Sequence, residues 1–520
     1  MTQEAGYGSV GPVVETLRRI VGALATVGLV VSVVWLFRAE RGVRTSQIWV
    51  GPTPVTLFRS VDGFEGAPLV VISHGFAGSQ QLMRPFAVTL ARAGYVAATF
   101  DYLGHGRNLD PLRGDVTKVK GATQRLLEQT SSVVDGVLGE PGLDGRLAIV
   151  GHSMASDIVV RYAQRDSRVE ATVAVSMFSP AVTSTSPPNL LILVGGLERG
   201  LRQEALRVLK MGIENPQAFH TYGDFGSGSA RRLALAPYRE HLGVLYEPSG
   251  LFEARSWLDQ VFARDSRAPV DRRGSAILLL FMSLGLMGWP LFSILPRVSQ
   301  LGSGPRLRWS QLCILCLVPA LATPLMLVSF PADFMSVLVG GYLAVHFGVY
   351  GLLTWITTRV LLGRPATAGT WTWAWALRML GATSLATSYA AGAVALAMDA
   401  TFTSFAMTAP RWPLFLVMSL GTGAYFLADE SFTAGSDAPR GSRLLTRCSF
   451  LASLGLAVAL SFEELFFLLI IAILIVPYFM VYGLWSDWIH RATGHPAVGA
   501  IASATAFAWT IAVVFPMLAG

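Results

Sequence analysis

The sequence predicts two fold classes in one chain: an α/β domain with a mostly parallel sheet and helices on both faces, then an all-α domain that crosses a membrane several times. Hydrophobic residues make up 52% of the 520 residues and charged residues only 14%, whereas soluble domains carry about 25% charged residues. The charges are dense between about residues 38 and 273 and sparse afterwards. In the first region short apolar runs alternate with amphipathic stretches, and the second region contains long uncharged runs.

The first predicted element is a transmembrane signal anchor over residues 20–37, an uncharged run long enough to cross a bilayer. Arg18 and Arg19 precede this run, and Arg38-Ala39-Glu40-Arg41 follows it in place of a small-residue cleavage site. A cleaved signal peptide is the competing interpretation, but the length of the run and the residues after it favour an uncleaved anchor. The loop arginines of the membrane domain, described below, orient the chain so that residues 1–19 are expected in the cytoplasm.

Residues 45–265 are predicted to form the α/β domain, because short β-rich runs alternate there with amphipathic helical stretches. This alternation favours a mostly parallel sheet with helices on both faces. The predicted strands are Val55–Arg59, Leu69–Ser73, Tyr95–Asp101, Leu147–Gly151, Ala171–Ser176, Leu190–Val194 and Arg232–Ala236. The predicted helices cover about 80–93, 117–138, 154–165, 199–212 and 250–264.

A candidate nucleophile follows the fourth predicted strand, in the sequence Gly151-His152-Ser153-Met154-Ala155. A strand-to-helix turn must be very tight to present a serine hydroxyl above a sheet, so small residues are needed two positions before and after the serine. Gly151 meets this need, and Ala155 replaces the usual second glycine. The turn therefore predicts Ser153 as a nucleophile.

A second motif, His74-Gly75-Phe76-Ala77-Gly78-Ser79, follows the strand predicted at 69–73 and precedes an amphipathic helix. Backbone N–H groups in such a loop, with the N–H of the residue after the nucleophile, bind the oxyanion that develops during acyl transfer. Phe76 and Met154 are the predicted donors. For His74-Gly75 taken alone, an ordinary strand-to-helix loop is the alternative interpretation.

These two motifs and Gly94-Tyr95-Val96 leading to Asp101-Tyr102-Leu103-Gly104-His105-Gly106 resemble the monoacylglycerol-lipase and serine-aminopeptidase branch of the α/β-hydrolase superfamily. The resemblance covers roughly residues 50–265. It implies an eight-stranded sheet and a catalytic triad in the chain order serine, aspartate or glutamate, histidine.

The same resemblance places the acid after the strand predicted at 190–194, where Glu198 stands in the position usually held by aspartate. Glutamate can also hold the imidazole in the right tautomer and stabilise the imidazolium. Asp224 is the rival acid. Once the histidines of the motifs and of the membrane segments are set aside, His220 and His241 are left as bases. His241 is favoured because it follows the last predicted strand and precedes a final amphipathic helix.

Residues 275–520 are predicted to form a membrane domain of about eight transmembrane helices. The spans lie near 276–295, 312–330, 335–357, 380–398, 412–428, 448–462, 465–485 and 498–518. Arginines concentrate in alternate loops, which are therefore predicted to be cytoplasmic: Arg297, Arg306, Arg308, Arg359, Arg364, Arg378, Arg440, Arg443, Arg447 and Arg491. The hydrolase domain is then extracytoplasmic, and Asp333, Asp399, Glu463 and Glu464 lie near the same surface. These acids either dock the domain or mark helix ends.

The predicted protein is a membrane-bound serine hydrolase of acyl ester bonds, with lipids favoured by the adjoining bilayer and amides left open. An acyltransferase with the same triad is one alternative, and a transporter or sensor with a ligand-binding hydrolase-like domain is another, in which the mid-span His346 would act. Cys313 and Cys316 form a CxxC in an apolar stretch without further ligands, so no metal site is predicted. We expect no cofactor and, because no basic run is interleaved with aromatics, no nucleic-acid partner.

Overall fold

The structure is a computed structural model that describes residues 11–116, 118–300, 305–329, 334–363, 372–435 and 437–519. The chain divides into two compact units. The α/β unit comprises Ser32–Leu278, Met398–Thr408 and Val513–Gly520, and the helical unit comprises Met1–Val31, Leu279–Ala397 and Ala409–Ala512. Two of the residues used to predict the membrane orientation, Asp333 and Arg364, lie outside the described residues.

A nine-stranded sheet forms the centre of the α/β unit. Its strands are β1 (Val43–Val50), β2 (Thr53–Ser60), β3 (Ala67–Ser73), β4 (Val96–Phe100), β5 (Leu143–His152), β6 (Val169–Val175), β7 (Leu190–Gly195), β8 (Thr221–Tyr222) and β9 (Arg231–Ala236). The strand order is β1-β2-β4-β3-β5-β6-β7-β9-β8. Pairing is parallel from β4 through β9 in this order, and antiparallel for β1 with β2, β2 with β4, and β8 with β9.

Helices cover both faces of the sheet. They are α2 (Arg84–Arg92), α3 (Gln124–Leu138), α4 (Met154–Ala163), α5 (Arg199–Leu209) and α6 (Pro248–Val261), and a separate helix, α1 (Pro12–Arg38), precedes the sheet in the chain. Val70 and Ile72 of β3 share a buried cluster with α2 and α6, whereas Leu69 and Val71 share one with α3 and α4. Successive side chains of a strand point to opposite faces, so the sheet is buried on both sides. The predicted α/β fold class is confirmed.

The structure contains all seven predicted strands and adds two at the edges of the sheet. β1 is partly exposed along its whole length, and β8 has only 2 residues. Neither strand carries the apolar run or the strict apolar alternation by which strands are predicted. The sheet therefore has nine strands where the resemblance implied eight.

The remaining helices follow the sheet in the chain. They are α7 (Arg273–Phe292), α8 (Trp309–Leu327), α9 (Gly340–Leu362), α10 (Trp373–Thr387), α11 (Val394–Thr401), α12 (Trp412–Thr433), α13 (Ser442–Leu460), α14 (Phe462–Leu465), α15 (Leu468–Thr493) and α16 (Pro496–Val514). In the described part of the chain, seven helices are long and apolar enough to cross a membrane: α1, α7, α8, α9, the stretch Trp373–Thr401 that contains α10 and α11, α13 and α16. The other two predicted spans fall in α12 and α15. The chain thus combines the α/β fold with several candidate membrane spans.

The C-terminal end departs from the last predicted span. The span was predicted near 498–518, but α16 ends at Val514 and residues 515–518 are not helical. Pro516 accounts for this end, because proline cannot donate a helical hydrogen bond and disfavours the helical conformation of the residue before it. The segment beyond α16 belongs to the α/β unit.

Candidate active site

Ser153 lies in the turn between β5 and α4, in a backbone conformation that side chains other than glycine rarely adopt. Its φ is 56° and its ψ is −119°. The N–H of Ser153 donates to the carbonyl oxygen of Val175 on β6 at 2.9 Å. Strain of this kind persists only where the surrounding structure holds the residue firmly, and here it presents the side chain at the carboxyl end of β5.

Small residues on both sides make this turn possible. A Cβ at Gly151 would lie 2.5 Å from the carbonyl oxygen of Ala155 and 2.7 Å from Cγ2 of Val159. Those distances exclude any side chain at position 151. Ala155 is fully buried, and its methyl group is accommodated, so the alanine in place of the second glycine is compatible with the turn.

Ser153, His241 and Glu198 form a continuous hydrogen-bonded series. His241 Nε2 lies 2.8 Å from Ser153 Oγ, and His241 Nδ1 lies 2.6 Å from Glu198 Oε1. A carboxylate can only accept a hydrogen bond. His241 therefore carries its proton on Nδ1, which leaves Nε2 free to accept the hydroxyl proton of Ser153.

The carboxylate of Glu198 is held by two further donors. Its Oε2 accepts hydrogen bonds from Ser176 Oγ and from the N–H of Gly195, both at 2.7 Å. The side chain of Glu198 is 6% exposed, whereas that of His241 is 45% exposed. One carboxylate oxygen is thus bound to the scaffold and the other to the imidazole, while the imidazole is open to a substrate and to water.

Asp224, the rival acid, lies in the turn between β8 and β9. Its Oδ2 accepts the N–H of Ser227 at 2.8 Å, and its carbonyl oxygen accepts the N–H of Ser229 at 3.0 Å. Within the described part of the chain, the carboxylate hydrogen-bonded to His241 is that of Glu198.

His152 holds the loop that carries His241, a contact that sequence reasoning missed. His152 Nε2 donates to the carbonyl oxygen of His241 at 2.9 Å. Burial, together with the neighbouring His241, lowers the pKa of His152 to about 3. The imidazole of His152 is therefore neutral at physiological pH. Its place beside the nucleophile was the signal available in the sequence, and that place indicates the turn without indicating this bond.

The loop after β3 passes directly beside Ser153. A Cβ at Gly75 would lie 2.9 Å from the Cβ of Ser153 and 3.1 Å from the carbonyl oxygen of His152. Phe76 follows Gly75 in this loop, and Met154 follows Ser153 at the first position of α4. The structure thus places the backbone of both predicted oxyanion donors next to the serine, and their role as donors stays a prediction.

Two buried side chains fix this loop. His74 Nδ1 donates to the carbonyl oxygen of Gly75 at 2.8 Å, and His74 Nε2 accepts the N–H of Tyr102 at 3.1 Å. Burial lowers the pKa of His74, although the nearby Asp101 opposes the shift. Asp101 in turn accepts the N–H groups of Gln80 at 2.8 Å and Arg107 at 2.9 Å. These bonds tie the loop after β3 to the loop after β4.

The candidate residues of the helical unit have other surroundings. His346 is fully buried, and its Nε2 lies 3.1 Å from Ser453 Oγ. Cys313 is exposed and Cys316 is buried, and both are free thiols. The described residues contain no group of three or more His, Cys, Asp or Glu side chains able to hold a metal ion.

Residues 66–221 match the family described as serine aminopeptidase, S33. Two curated relatives, both uncharacterized 31.7 kDa proteins of the traX–finO intergenic region of Escherichia coli, share 32% and 31% identity with the chain over 124 residues. Each match covers 24% of this chain and 41% of the relative. The chain therefore spans less than half the length of these relatives.

Several solved structures are also similar to part of the chain. A membrane phospholipase A, described as a novel bacterial virulence factor, shares 16% identity; the match covers 46% of this chain and 93% of that one, with a TM-score of 0.32. A dienelactone hydrolase from Anabaena variabilis shares 17% identity over 44% of this chain and 100% of that one, with a TM-score of 0.31. The α/β fold of the sheet and the family match over residues 66–221 together show that this part of the chain is similar to α/β hydrolases.

Proposed function

We propose that this protein is a membrane-bound serine hydrolase of acyl esters, in which Ser153 is the nucleophile, His241 the base and Glu198 the orienting acid. The observation that carries the proposal is the pair of short contacts made by His241, 2.8 Å to Ser153 Oγ and 2.6 Å to Glu198 Oε1. A nucleophile hydrogen-bonded to a base, which is itself oriented by a third group, is the arrangement that activates serine for acyl transfer.

In the proposed reaction, His241 Nε2 takes the hydroxyl proton as Ser153 Oγ attacks the carbonyl carbon of the ester. The backbone N–H groups of Phe76 and Met154 stabilise the negative charge that develops on the carbonyl oxygen. His241 then gives the proton to the departing alkoxide, and the alcohol leaves. Water, deprotonated by the same imidazole, attacks the acyl-enzyme, releases the carboxylic acid and restores Ser153.

Exposed apolar side chains near the carboxyl ends of three strands support an acyl substrate. Phe178 follows β6, Leu197 follows β7 and Tyr238 follows β9, and these side chains are 62%, 61% and 88% exposed. Exposed apolar surface near a site commonly marks where an apolar ligand binds. We therefore favour esters with apolar acyl chains, including lipids, over amides.

The extracytoplasmic position of the hydrolase domain is part of the proposal. The arginine distribution predicts the same side of the membrane for the hydrolase domain, for the loop near residue 399 and for the C-terminal end. Met398–Thr408 and Val513–Gly520 belong to the α/β unit, which supports this prediction because one compact domain lies on one side of a bilayer.

A cysteine at Tyr238, which is 88% exposed, tests the orientation in a background that lacks Cys313, Cys316 and Cys448. We expect a membrane-impermeant maleimide to label the Tyr238→Cys protein in intact cells. Labelling only after the cells are lysed would contradict the extracytoplasmic position.

A fluorophosphonate probe, which reacts with activated serines, tests the proposed activity. We expect the full-length protein to be labelled and the Ser153→Ala variant to remain unlabelled. Ser132→Ala is the matched control, because Ser132 is an exposed serine of α3 in the same unit, and it should be labelled like the wild type. Equal labelling of Ser153→Ala and the wild type would overturn the proposal.

Acyl transfer to an alcohol shares every step up to the acyl-enzyme. The 45% exposure of His241 favours hydrolysis, since water reaches the base that must activate it. Measuring acyl-enzyme breakdown with and without an added alcohol separates the two reactions. Breakdown that occurs only when alcohol is present would identify an acyltransferase.

A further inference from the structure

We propose that two segments from the C-terminal half of the chain position the oxyanion loop, which we define as His74–Ser79. The two positioning segments are Met398–Thr408 and Val513–Gly520, which belong to the α/β unit although helices of the other unit separate them from it in the chain. The inference rests on the proposed function, because it concerns the loop that carries the donor Phe76. Hydrolysis at Ser153 thus requires contacts that these two segments supply.

The first segment holds the last residue of the oxyanion loop. Ser79 Oγ lies 2.9 Å from Thr403 Oγ1 and accepts the N–H of Ser404 at 2.8 Å. Ser79, Thr403 and Ser404 are 1%, 6% and 3% exposed. A buried hydroxyl that loses its partner has no water to replace it, so its position is strongly restrained. The end of the oxyanion loop is therefore fixed by a segment more than three hundred residues away.

Asp399 folds this segment and attaches it to the loop after β4. Asp399 Oδ1 accepts the N–H groups of Phe405 at 2.9 Å and Ala406 at 3.1 Å. Asp399 Oδ2 receives a hydrogen bond from Arg107 Nη2 at 2.7 Å. The N–H of Arg107 itself donates to Asp101, which also accepts the N–H of Gln80, the residue directly after the oxyanion loop. The first segment is thus connected both to the oxyanion loop and to the loop after β4.

The second segment pairs with the loop after β4 through its backbone. The N–H of Met517 donates to the carbonyl oxygen of Gly104 at 2.9 Å. The carbonyl oxygen of Met517 in turn accepts the N–H of Leu112 at 2.9 Å. The N–H of Ala519 donates to the carbonyl oxygen of Leu112 at 2.9 Å. Gly104 has a φ of 75°, and a Cβ there would lie 2.3 Å from the carbonyl oxygen of Met517. This pairing therefore requires glycine at position 104.

Phe515, at the start of the second segment, packs on the oxyanion loop itself. Its ring centroid lies 6.4 Å from that of Phe76, and its side chain is 2% exposed. The ring of Phe76 also packs edge-on to His105 at 6.1 Å. A backbone donor stabilises an oxyanion only when it lies about 3 Å from that oxygen. Packing that immobilises the side chain of Phe76 therefore also places its N–H.

It follows that the site beside Ser153 is complete only when both segments are in place. Met398–Thr408 begins within the last turn of α11 and leads towards α12, and Val513–Gly520 begins with the last two residues of α16. The candidate membrane helices and the oxyanion loop are therefore linked through short stretches of one chain, and we assign Thr403 and Phe515 as positioning residues.

The experiment compares purified full-length variants in detergent, with p-nitrophenyl butyrate as the substrate. Thr403→Val removes the hydroxyl and keeps the shape of the side chain, whereas Thr403→Ser keeps the hydroxyl. Thr89→Val is the matched control: Thr89 is 1% exposed and its Oγ1 accepts the N–H of Asp271 at 3.0 Å. The control therefore loses the same kind of buried hydrogen bond outside the oxyanion loop.

We expect Thr403→Val to lower kcat about tenfold with KM unchanged, a fraction of the roughly 10²–10³-fold loss seen when an oxyanion donor is removed. Thr403→Ser should restore most of kcat. Thr89→Val should lose thermal stability but keep the wild-type kcat. A merely structural role of Thr403 would affect the stability of both valine variants without separating their kcat values, and equal kcat values would overturn the inference.

Gly104→Ala tests the second segment without changing any of its residues, because the added Cβ collides with the carbonyl oxygen of Met517 and displaces its backbone. We expect the same fall in kcat with KM unchanged, and a wild-type kcat would contradict the inference. If Thr403→Val does not fold, the kcat of Phe515→Leu, which keeps an apolar side chain, tests the inference in its place. Failure of the proposed function is recognised separately, since the wild type and Ser153→Ala would then hydrolyse the ester equally.

Discussion

Replacing Glu198 by glutamine tests how the carboxylate controls the proton on His241. Glu198 Oε2 accepts hydrogen bonds from the N–H of Gly195 and from Ser176 Oγ, both at 2.7 Å, and Oε1 accepts from His241 Nδ1 at 2.6 Å. A backbone N–H can only donate, so the amide oxygen of the glutamine must face Gly195. The amide NH₂ group then faces His241.

This orientation places the proton of the imidazole on the wrong nitrogen. Because the NH₂ group donates, His241 Nδ1 must accept, and the proton moves to Nε2. A protonated Nε2 cannot take the proton of Ser153. In a serine protease triad the corresponding change from aspartate to asparagine lowers kcat about 10⁴-fold. For Glu198→Gln we expect a loss of about 10³–10⁴ in kcat, or about 4–5.5 kcal/mol of barrier, with KM unchanged.

The assay is steady-state ester hydrolysis by the full-length protein, with the rate of fluorophosphonate labelling as an independent measurement. Asp224→Asn is the matched control, because the Asp224 carboxylate accepts the N–H of Ser227 in a turn. This variant should keep the wild-type kcat. The melting temperature of Glu198→Gln should change little, since the bond to Gly195 is kept. The reasoning is refuted if Glu198→Gln keeps the wild-type kcat or if Asp224→Asn loses activity instead.

Three further changes address the turn, the pH dependence of stability and the helical unit. Gly75→Ala places a Cβ 2.9 Å from the Cβ of Ser153, so we expect a folded protein that the fluorophosphonate probe does not label, and labelling at the wild-type rate would contradict this. Burial lowers the pKa of His152 to about 3, so at pH values between that pKa and about 6.5 the unfolded chain binds a proton that the folded protein does not. The free energy of unfolding should therefore fall as pH falls through this range, by up to about 1.4 kcal/mol per pH unit, and thermal unfolding of His152→Gln should show a shallower dependence. Glu430 is 1% exposed and lies 2.7 Å from Arg443; Glu430→Gln should cost about 3–5 kcal/mol of stability, and an unchanged melting temperature in detergent would argue against this pair.

The sheet could be predicted from sequence because its signals are local. Each predicted strand is a short apolar run next to a turn, and residues 147–151 lead directly into the serine motif. The edge strands lack such a signal: β1 is partly exposed throughout, and β8 has 2 residues. Burial on both faces therefore produces a readable pattern, and exposure at an edge removes it.

The site residues could be proposed because the parallel sheet brings strand ends together. Ser153 follows β5, Glu198 follows β7 and His241 follows β9. Because β5, β6, β7 and β9 are parallel neighbours in this order, their carboxyl ends lie side by side at the same end of the sheet. The bond from His152 to the carbonyl oxygen of His241 joins residues 89 positions apart. No local pattern reports a contact of that kind, so it needed the structure.

The position of the second segment in the α/β unit could not be predicted from the sequence, for a different reason. Phe515, Met517 and Leu518 are apolar and directly follow an apolar helix, so hydropathy assigned them to the last predicted span. Hydropathy does not distinguish a side chain in contact with lipid from one buried in a folded domain. Pro516 is the local signal that ends the helix.

Asp399 was predicted either to dock the hydrolase domain or to mark a helix end, and the structure shows it paired with Arg107 at 2.7 Å. The side chains of Arg107 and Asp399 are 43% and 24% exposed, and exposed ion pairs contribute only about 0–1 kcal/mol. The buried bonds of Ser79 and Thr403 have no solvent to replace them, so they should restrain the oxyanion loop more strongly. We therefore expect Arg107→Gln to lower kcat less than Thr403→Val does. A larger effect of Arg107→Gln would mean that charge pairing, and not the buried hydroxyls, holds the first segment in place.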